Sequence, residues 1–506
     1  MRAIVGAGEA PVKDEVTMVS SWSVLLLAAV LQAPAEARTV QVWLTKPDRS
    51  ALCAKQAEEV AFTDDSGHGA AIVVDETQRF QTMDGFGFAL TGGSAELMMK
   101  MTATARQALV RELFATDGTG LGISYLRLSI GASDLNSTVF SYDDRPAGER
   151  DLTLEHFSLA LDVEDVVPVM KQILAVNPGV RVLGSPWSAP PWMKTNGNVR
   201  GGALQPECYD VYARYLVKYV QAMKREGIAI DAITVQNEPL NSRNTPSMQM
   251  LPAEQRTFIR DHVGPAFSGA GLATKIVLFD HNLDRIDYPL TTLRDPQAAQ
   301  YVDGTAFHHY GGDFTAMGLL HDARPDKSLY FTEQMIVERP RGGPTIDIAG
   351  PVKRLIIGAP RHWSRNVLLW NLAADPKDDP HTDNGGCSMC QGALTLDGDA
   401  VMRNVAYYTI AHASRFVPPG SVRIASTGPS DPALLVTEDE EHSGALRVGV
   451  SDTAGVAPNV AFLTPNGRIV LVVVNDGAAV RTVTVQHRGR FAAIPLDAGA
   501  AATIVW

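Results

Sequence analysis

The sequence predicts an α/β protein, a (β/α)8 TIM barrel carrying an accessory antiparallel β-sandwich. From about residue 120 to 412, short apolar runs alternate with helical patterns, as in a parallel sheet covered by helices. The alternation lasts nearly 300 residues, and repetition on that scale favours closure into a barrel over an open sheet. Beyond about residue 415 the chain turns β-rich and the helical period disappears.

Taken in order, residues 1–37 read as a signal peptide. An apolar core, Val24 to Leu31, is too short to span a bilayer and ends in Ala35-Glu36-Ala37, a small-residue cleavage pattern. Arg2 and Lys13 are offset by Glu9, Asp14 and Glu15, so Met18 is an alternative start. The expected location is therefore secreted or periplasmic, with cleavage near Ala37. Residues 38–78 read as extended and are expected to contribute strands to the sandwich.

Residues 79–414 form the expected barrel. "GISYLRLSIG", "VRVLGSPWS", "IAIDAITVQNEP", "TKIVLFDHN", "GTAFHHYGG", "SLYFTEQM" and "NVLLWNLA" read as its strands. Tyr212, Tyr215, Leu216, Tyr219 and Met223 mark one face of a helix that Gly227 closes. Residues 415–506 carry strand patterns such as "RTVTVQH" and "AATIVW", with turns at Pro465-Asn466-Gly467 and Asn475-Asp476-Gly477.

Composition narrows the function. The 506 residues are 45% hydrophobic and 20% charged, ordinary values for a globular chain with a large core. A net charge of −12 with no basic patch argues against nucleic acid or an anionic membrane surface as partner. No other stretch is apolar and long enough to cross a membrane. Cys53, Cys208, Cys387 and Cys390 allow three pairings. The "CSMC" at 387–390 has zinc-knuckle spacing but no second pair nearby, so a local disulfide or one to Cys208 is the stronger reading.

In a barrel, catalytic groups sit at the C-terminal ends of strands. Here each apolar run ends in a polar or aromatic set: Ser133-Asp134 with Arg127 behind it, Trp187 followed by Trp192 and Lys194, Asn237-Glu238, His308-His309-Tyr310, Glu333, and Trp370-Asn371. One tip is often a cap or an ion pair; six tips converging on one mouth indicate a site. Two carboxylates among tryptophans suit a sugar, because indole faces cover apolar ring faces and glycoside hydrolysis needs a carboxyl on each side of the anomeric carbon.

The chain resembles glycoside hydrolase family 30, the retaining β-glycosidases that include glucosylceramidases and β-1,6-glucanases. The motifs are "MDGFGFALTGGSAEL", "LRLSIGASDL", "GSPWSAPPWMKTNG", "VQNEP", "FHHY", "YFTEQ" and "LLWNLA", in the family's order, with "ATIVW" as its last strand. The resemblance implies Glu238 as general acid/base and Glu333 as nucleophile, with Asn237 on the sugar 2-hydroxyl. Asp134, Trp187 and Trp370 would hold the sugar, while Arg127, His308 and Tyr310 orient the carboxylates. No cofactor or metal is implied. Glu238 is expected protonated and Glu333 ionised.

Thr91-Gly92, Leu135 and His309 depart from the glucosylceramidase pattern, and "LTGGSAE" and "FHHYGG" favour a β-1,6-glucanase, with glucosylceramide hydrolysis the alternative. Two other classes stand against this reading. One is an inactive carbohydrate-binding barrel, which would need neither glutamate. The other is a metal-dependent hydrolase using His308 and His309, whose adjacent positions on a strand face opposite ways.

Overall fold

The computed structural model describes residues 39–65, 70–118, 120–427 and 456–506, together with the backbones of Leu435–Glu438 and Leu446–Gly449. The signal peptide expected over residues 1–37 lies outside the described residues.

Eight parallel strands close a barrel. They are β1 (Gly85–Ala89), β2 (Tyr125–Ile130), β3 (Arg181–Pro186), β4 (Ala232–Thr234), β5 (Lys275–Asn282), β6 (Val302–His308), β7 (Ser328–Glu333) and β8 (Ser364–Leu369). Neighbours in sequence are neighbours in the barrel, and β8 closes on β1 through pairs such as Val367 with Phe86. Tyr125, Leu183, Ala232, Val277, Ala306, Tyr330 and Leu368, one from each of β2 to β8, form a separate buried cluster. That layer plugs the interior, so polar tips have a floor to stand on. β1 carries glycine at Gly85 and Gly87. A Cβ on Gly87 would lie 1.9 Å from the Tyr125 carbonyl oxygen, a close approach only glycine permits.

Between strands, Tyr209–Arg225 forms the helix its period predicts, and Tyr212, Tyr215, Leu216, Tyr219 and Met223 are wholly buried. The helical stretches after β4 and β7 each contain a π-helical turn, Ile259–Val263 and Val352–Gly358.

The second sheet draws on both ends of the chain. Ala501–Val505 lies between Thr39–Thr45 and Ile469–Val474, antiparallel to each. Asn459–Leu463, Val422–Ser426, Ala71–Thr82, Arg481–His487 and Arg490–Leu496 continue the order. One pairing departs from the all-antiparallel expectation: Arg481–His487 runs parallel to Ala71–Thr82, which two strands so distant in sequence can do because no hairpin joins them. An isolated bridge from Thr63 to Phe491 links the segment after Val60–Ala61 to Arg490–Leu496, so the sheet curls around its own core.

Ile469–Val474 is buried on both faces. Ile469, Leu471 and Val473 join the sandwich core, whereas Val470, Val472 and Val474 join the barrel's core. Period-two alternation thus glues the two units along a single strand. The neutral imidazole of His412, which burial pushes down to about 3, meets the hydroxyls of Thr503 (2.9 Å) and Thr45 (2.8 Å) at the same seam.

The local alternative for the cysteines is the one realised. Cys387 and Cys390 form a disulfide, while Cys53 and Cys208 are buried thiols.

Candidate active site

The site is a cluster of charges around Arg127, which β2 sends into the barrel mouth fully buried. Its Nη1 donates to Glu333 Oε2 (2.5 Å), and its Nη2 to Asn237 Oδ1 (2.7 Å), Asp280 Oδ2 (2.8 Å) and Ser185 Oγ (3.1 Å). A single planar fork therefore positions groups from β3, the turn after β4, β5 and β7. His308, at the end of β6, joins the other side: Nε2 is 3.0 Å from Asp280 Oδ1 and Nδ1 is 3.2 Å from Glu238 Oε1. Tyr310 donates its hydroxyl to Glu333 Oε1 (3.0 Å), and Asn241 donates to Glu238 Oε2 (2.7 Å).

One oxygen of Glu238, one of Glu333 and a His308 nitrogen all lie within 4.8 Å of one another. Retaining glycosidases hold their two carboxyls about 5–5.5 Å apart; inverting ones need more room for a water. Glu238 also sits at φ 42°, a left-handed backbone uncommon for a non-glycine residue, just where the chain leaves β4. Pro239 follows and bars the strand from continuing.

The aromatic residues arrange themselves differently from a simple sugar platform. Trp187 and Trp370 stack on each other, with ring centroids 5.3 Å apart, and the Arg127 guanidinium lies 4.7 Å from the Trp187 ring. Both indoles are buried, but Trp187 Nε1 has no partner among the described residues and keeps a donor for a ligand. Cys390 packs against this pair, so the disulfide loop walls the same corner. Asp134 is also buried here, and burial with the charges of Glu333 and Glu238 pushes its carboxyl up to about 8. At neutral pH it is protonated and can donate.

Other predicted tips serve the scaffold. Trp192 donates to the Asp143 carbonyl (2.8 Å), and Lys194 to the carbonyls of Val199 (3.1 Å) and Ser247 (2.7 Å). His309 turns away from His308 and packs on Phe314, centroids 4.6 Å apart, so the two imidazoles do not share an ion.

The shifts of the two glutamates run opposite to the direction expected. Although burial pushes Glu238 up, the hydrogen bond and charge of His308 outweigh it, helped by His281 and Asn241, and hold the group at about 2. Burial instead raises Glu333, despite the His308 and Arg127 charges. His308 itself loses by burial but gains more from Glu333 and Asp280, which hold it at about 9.

Asp280 is the residue the sequence reading missed. It accepts from Arg127, Ser185 (2.6 Å), Thr234 (2.7 Å) and Thr332 (2.6 Å) and anchors His308. The signal was present: "VLFDHN" ends in polar residues like every other tip.

Residues 83–417 match the glycosyl hydrolase family 30 TIM-barrel domain, and residues 444–504 the family's beta sandwich domain. The chain is 34% identical over 378 residues to the endo-1,6-beta-D-glucanase neg1 of Aspergillus fumigatus, covering 71% of this chain and 75% of that one. It is 28% identical over 436 residues to the lysosomal acid glucosylceramidase of Mus musculus, covering 81% and 78%. The solved structure of the endo-beta1,6-glucanase BT3312 superposes with a TM-score of 0.80 at 32% identity, covering 92% of this chain and 99% of that one.

Proposed function

The chain belongs to glycosyl hydrolase family 30, and from that premise we propose that it is a retaining β-glycosidase that cleaves β-1,6-linked glucan. The observation that carries the mechanism is the pair of glutamate oxygens within 4.8 Å at the tips of β4 and β7. Glu333 attacks the anomeric carbon while Glu238 protonates the departing oxygen. Glu238 then takes a proton from water, which releases the sugar from Glu333.

Glu238 must carry a proton when the leaving oxygen departs. His308 Nδ1 is placed to relay it, 3.2 Å from Glu238 Oε1 and 3.7 Å from Glu333 Oε1. It gives its proton to Glu238, so the cluster's net charge is unchanged. Arg127 and Tyr310 then stabilise the ionised nucleophile. Protonated Asp134 and the free Trp187 donor are the groups that grip the sugar hydroxyls, and Asn237 completes the set at the 2-hydroxyl.

The glucanase relatives named above support β-1,6-glucan over glucosylceramide. Product analysis on a panel of β-linked glucans and glucosylceramide tests this. The expected result is cleavage of β-1,6-glucan with the β-anomer released first. An α-anomer first overturns retention; turnover of glucosylceramide alone overturns the substrate. Export is proposed from the apolar run and Ala35-Glu36-Ala37, and the N-terminal sequence of the mature protein tests it.

A further inference from the structure

A second charged cluster lies in the long segment that follows β2. Asp143 is 1% exposed, and neither of its carboxylate oxygens has a hydrogen-bond partner among the described residues. An oxygen of Asp143, an oxygen of Asp151 and a ring nitrogen of His156 lie within 4.8 Å of one another. Two carboxylates at this distance repel, and a buried one without donors has lost its water for nothing in return.

No described side chain donates a hydrogen bond to the Asp143 carboxylate. The nearby Arg145 is turned to Glu149 (2.7 Å). Asp151 is satisfied locally, by Thr153 (3.0 Å) and by the backbone N–H (2.8 Å) and Nδ1 (2.9 Å) of His156. The backbone around Asp143 is anchored. Its carbonyl is held by Trp192 at 2.8 Å, and its neighbour Tyr142 is fixed by a bond to Asp162 (2.5 Å) and by stacking on Tyr219.

We propose that Asp143, Asp151 and His156 form a divalent-cation site, separate from the catalytic glutamates, that takes an ion of the zinc class. The donor set decides the class. Two carboxylates and an imidazole suit a borderline ion with few ligands and a completing water. Calcium prefers six to eight oxygens, more than this cluster offers. Bound there, the ion tethers the segment after β2 where Asp143 already meets the loop after β3. It has no part in glycoside cleavage.

The full chain, dialysed against Zn²⁺ and then desalted, is analysed for bound metal and for its melting temperature. The expected result is one zinc per chain, a melting temperature several degrees above that of chelator-treated protein, and unchanged glycosidase activity. Asp143→Asn should bind zinc at least about 100-fold more weakly, since loss of an outer partner alone costs 10–100-fold. His156→Ala, at a ring 55% exposed, is expected to fold even if the first variant does not, and should weaken zinc likewise. Wild-type protein that retains no zinc, or variants that bind it as tightly, overturn the site. Calcium binding that His156→Ala leaves intact overturns the zinc class.

Discussion

Glu238 and Glu333 are the same residue in different company, and their neighbours assign their tasks. Glu333 receives a permanent cation from Arg127 and a hydroxyl from Tyr310; Glu238 faces the titratable His308. Glu333→Gln is expected to lower kcat at least about 1,000-fold while leaving oligosaccharide binding measurable by calorimetry. Activity that survives reassigns the nucleophile. His308→Asn should cut kcat by about 100-fold or more, as loss of a proton-transfer group does, and should move the acidic limb of the pH–rate profile. Stability carries a second signature. His308 is held at about 9, above the roughly 6.5 of an unfolded imidazole. The folded protein therefore binds that proton more tightly; the benefit is complete below about pH 6.5 and disappears as pH rises through 9. Asp280 behaves oppositely. Arg127 and His308 overcome its burial and hold it well below the usual range, so its contribution is present above about pH 4 and lost on acidification. Urea melts from pH 6 to 10 should show wild type losing its advantage over His308→Asn. A constant gap would mean that His308 is neutral in the folded protein.

At the level of elements, the barrel strands are defined by what cannot be larger as much as by what is apolar. A Cβ on Gly304 in β6 would stand 2.0 Å from the Ser328 carbonyl oxygen of β7. Gly304→Ala must push two hydrogen-bonded strands apart, and overpacking of this kind costs about 1–3 kcal/mol or more. Chemical denaturation should record that loss, and a variant as stable as wild type would mean that β6 and β7 are not so close. The amphipathic helix Tyr209–Arg225 was legible because its face repeats at the helical period. β1 was legible only through its motif, since "GFGFA" lacks the branched residues that mark a strand. The polar tips were likewise legible as a set. Which tip touches which was not, because Arg127 meets groups 58 to 206 positions away.

For the molecule as a whole, barrel and sandwich are predicted to unfold together. Phe462 of the sandwich meets Phe86 of β1 edge to face, centroids 6.4 Å apart, inside a shared core. Phe462→Ala should remove about 3–5 kcal/mol and move one calorimetric transition, with activity lost in step. Two separate peaks would show independent units. The sequence by itself determined the barrel, the β-rich companion, the family and the roster of strand-tip residues, because period and local motif are properties of neighbouring positions. Only the tertiary structure decided that Asp280 anchors the cluster, that the surroundings push Glu238 down and Glu333 up, and that Asp143 is stranded without a donor. Those outcomes depend on burial and on charges brought within a few ångströms by chain closure, and distance in space is not written in distance along the chain.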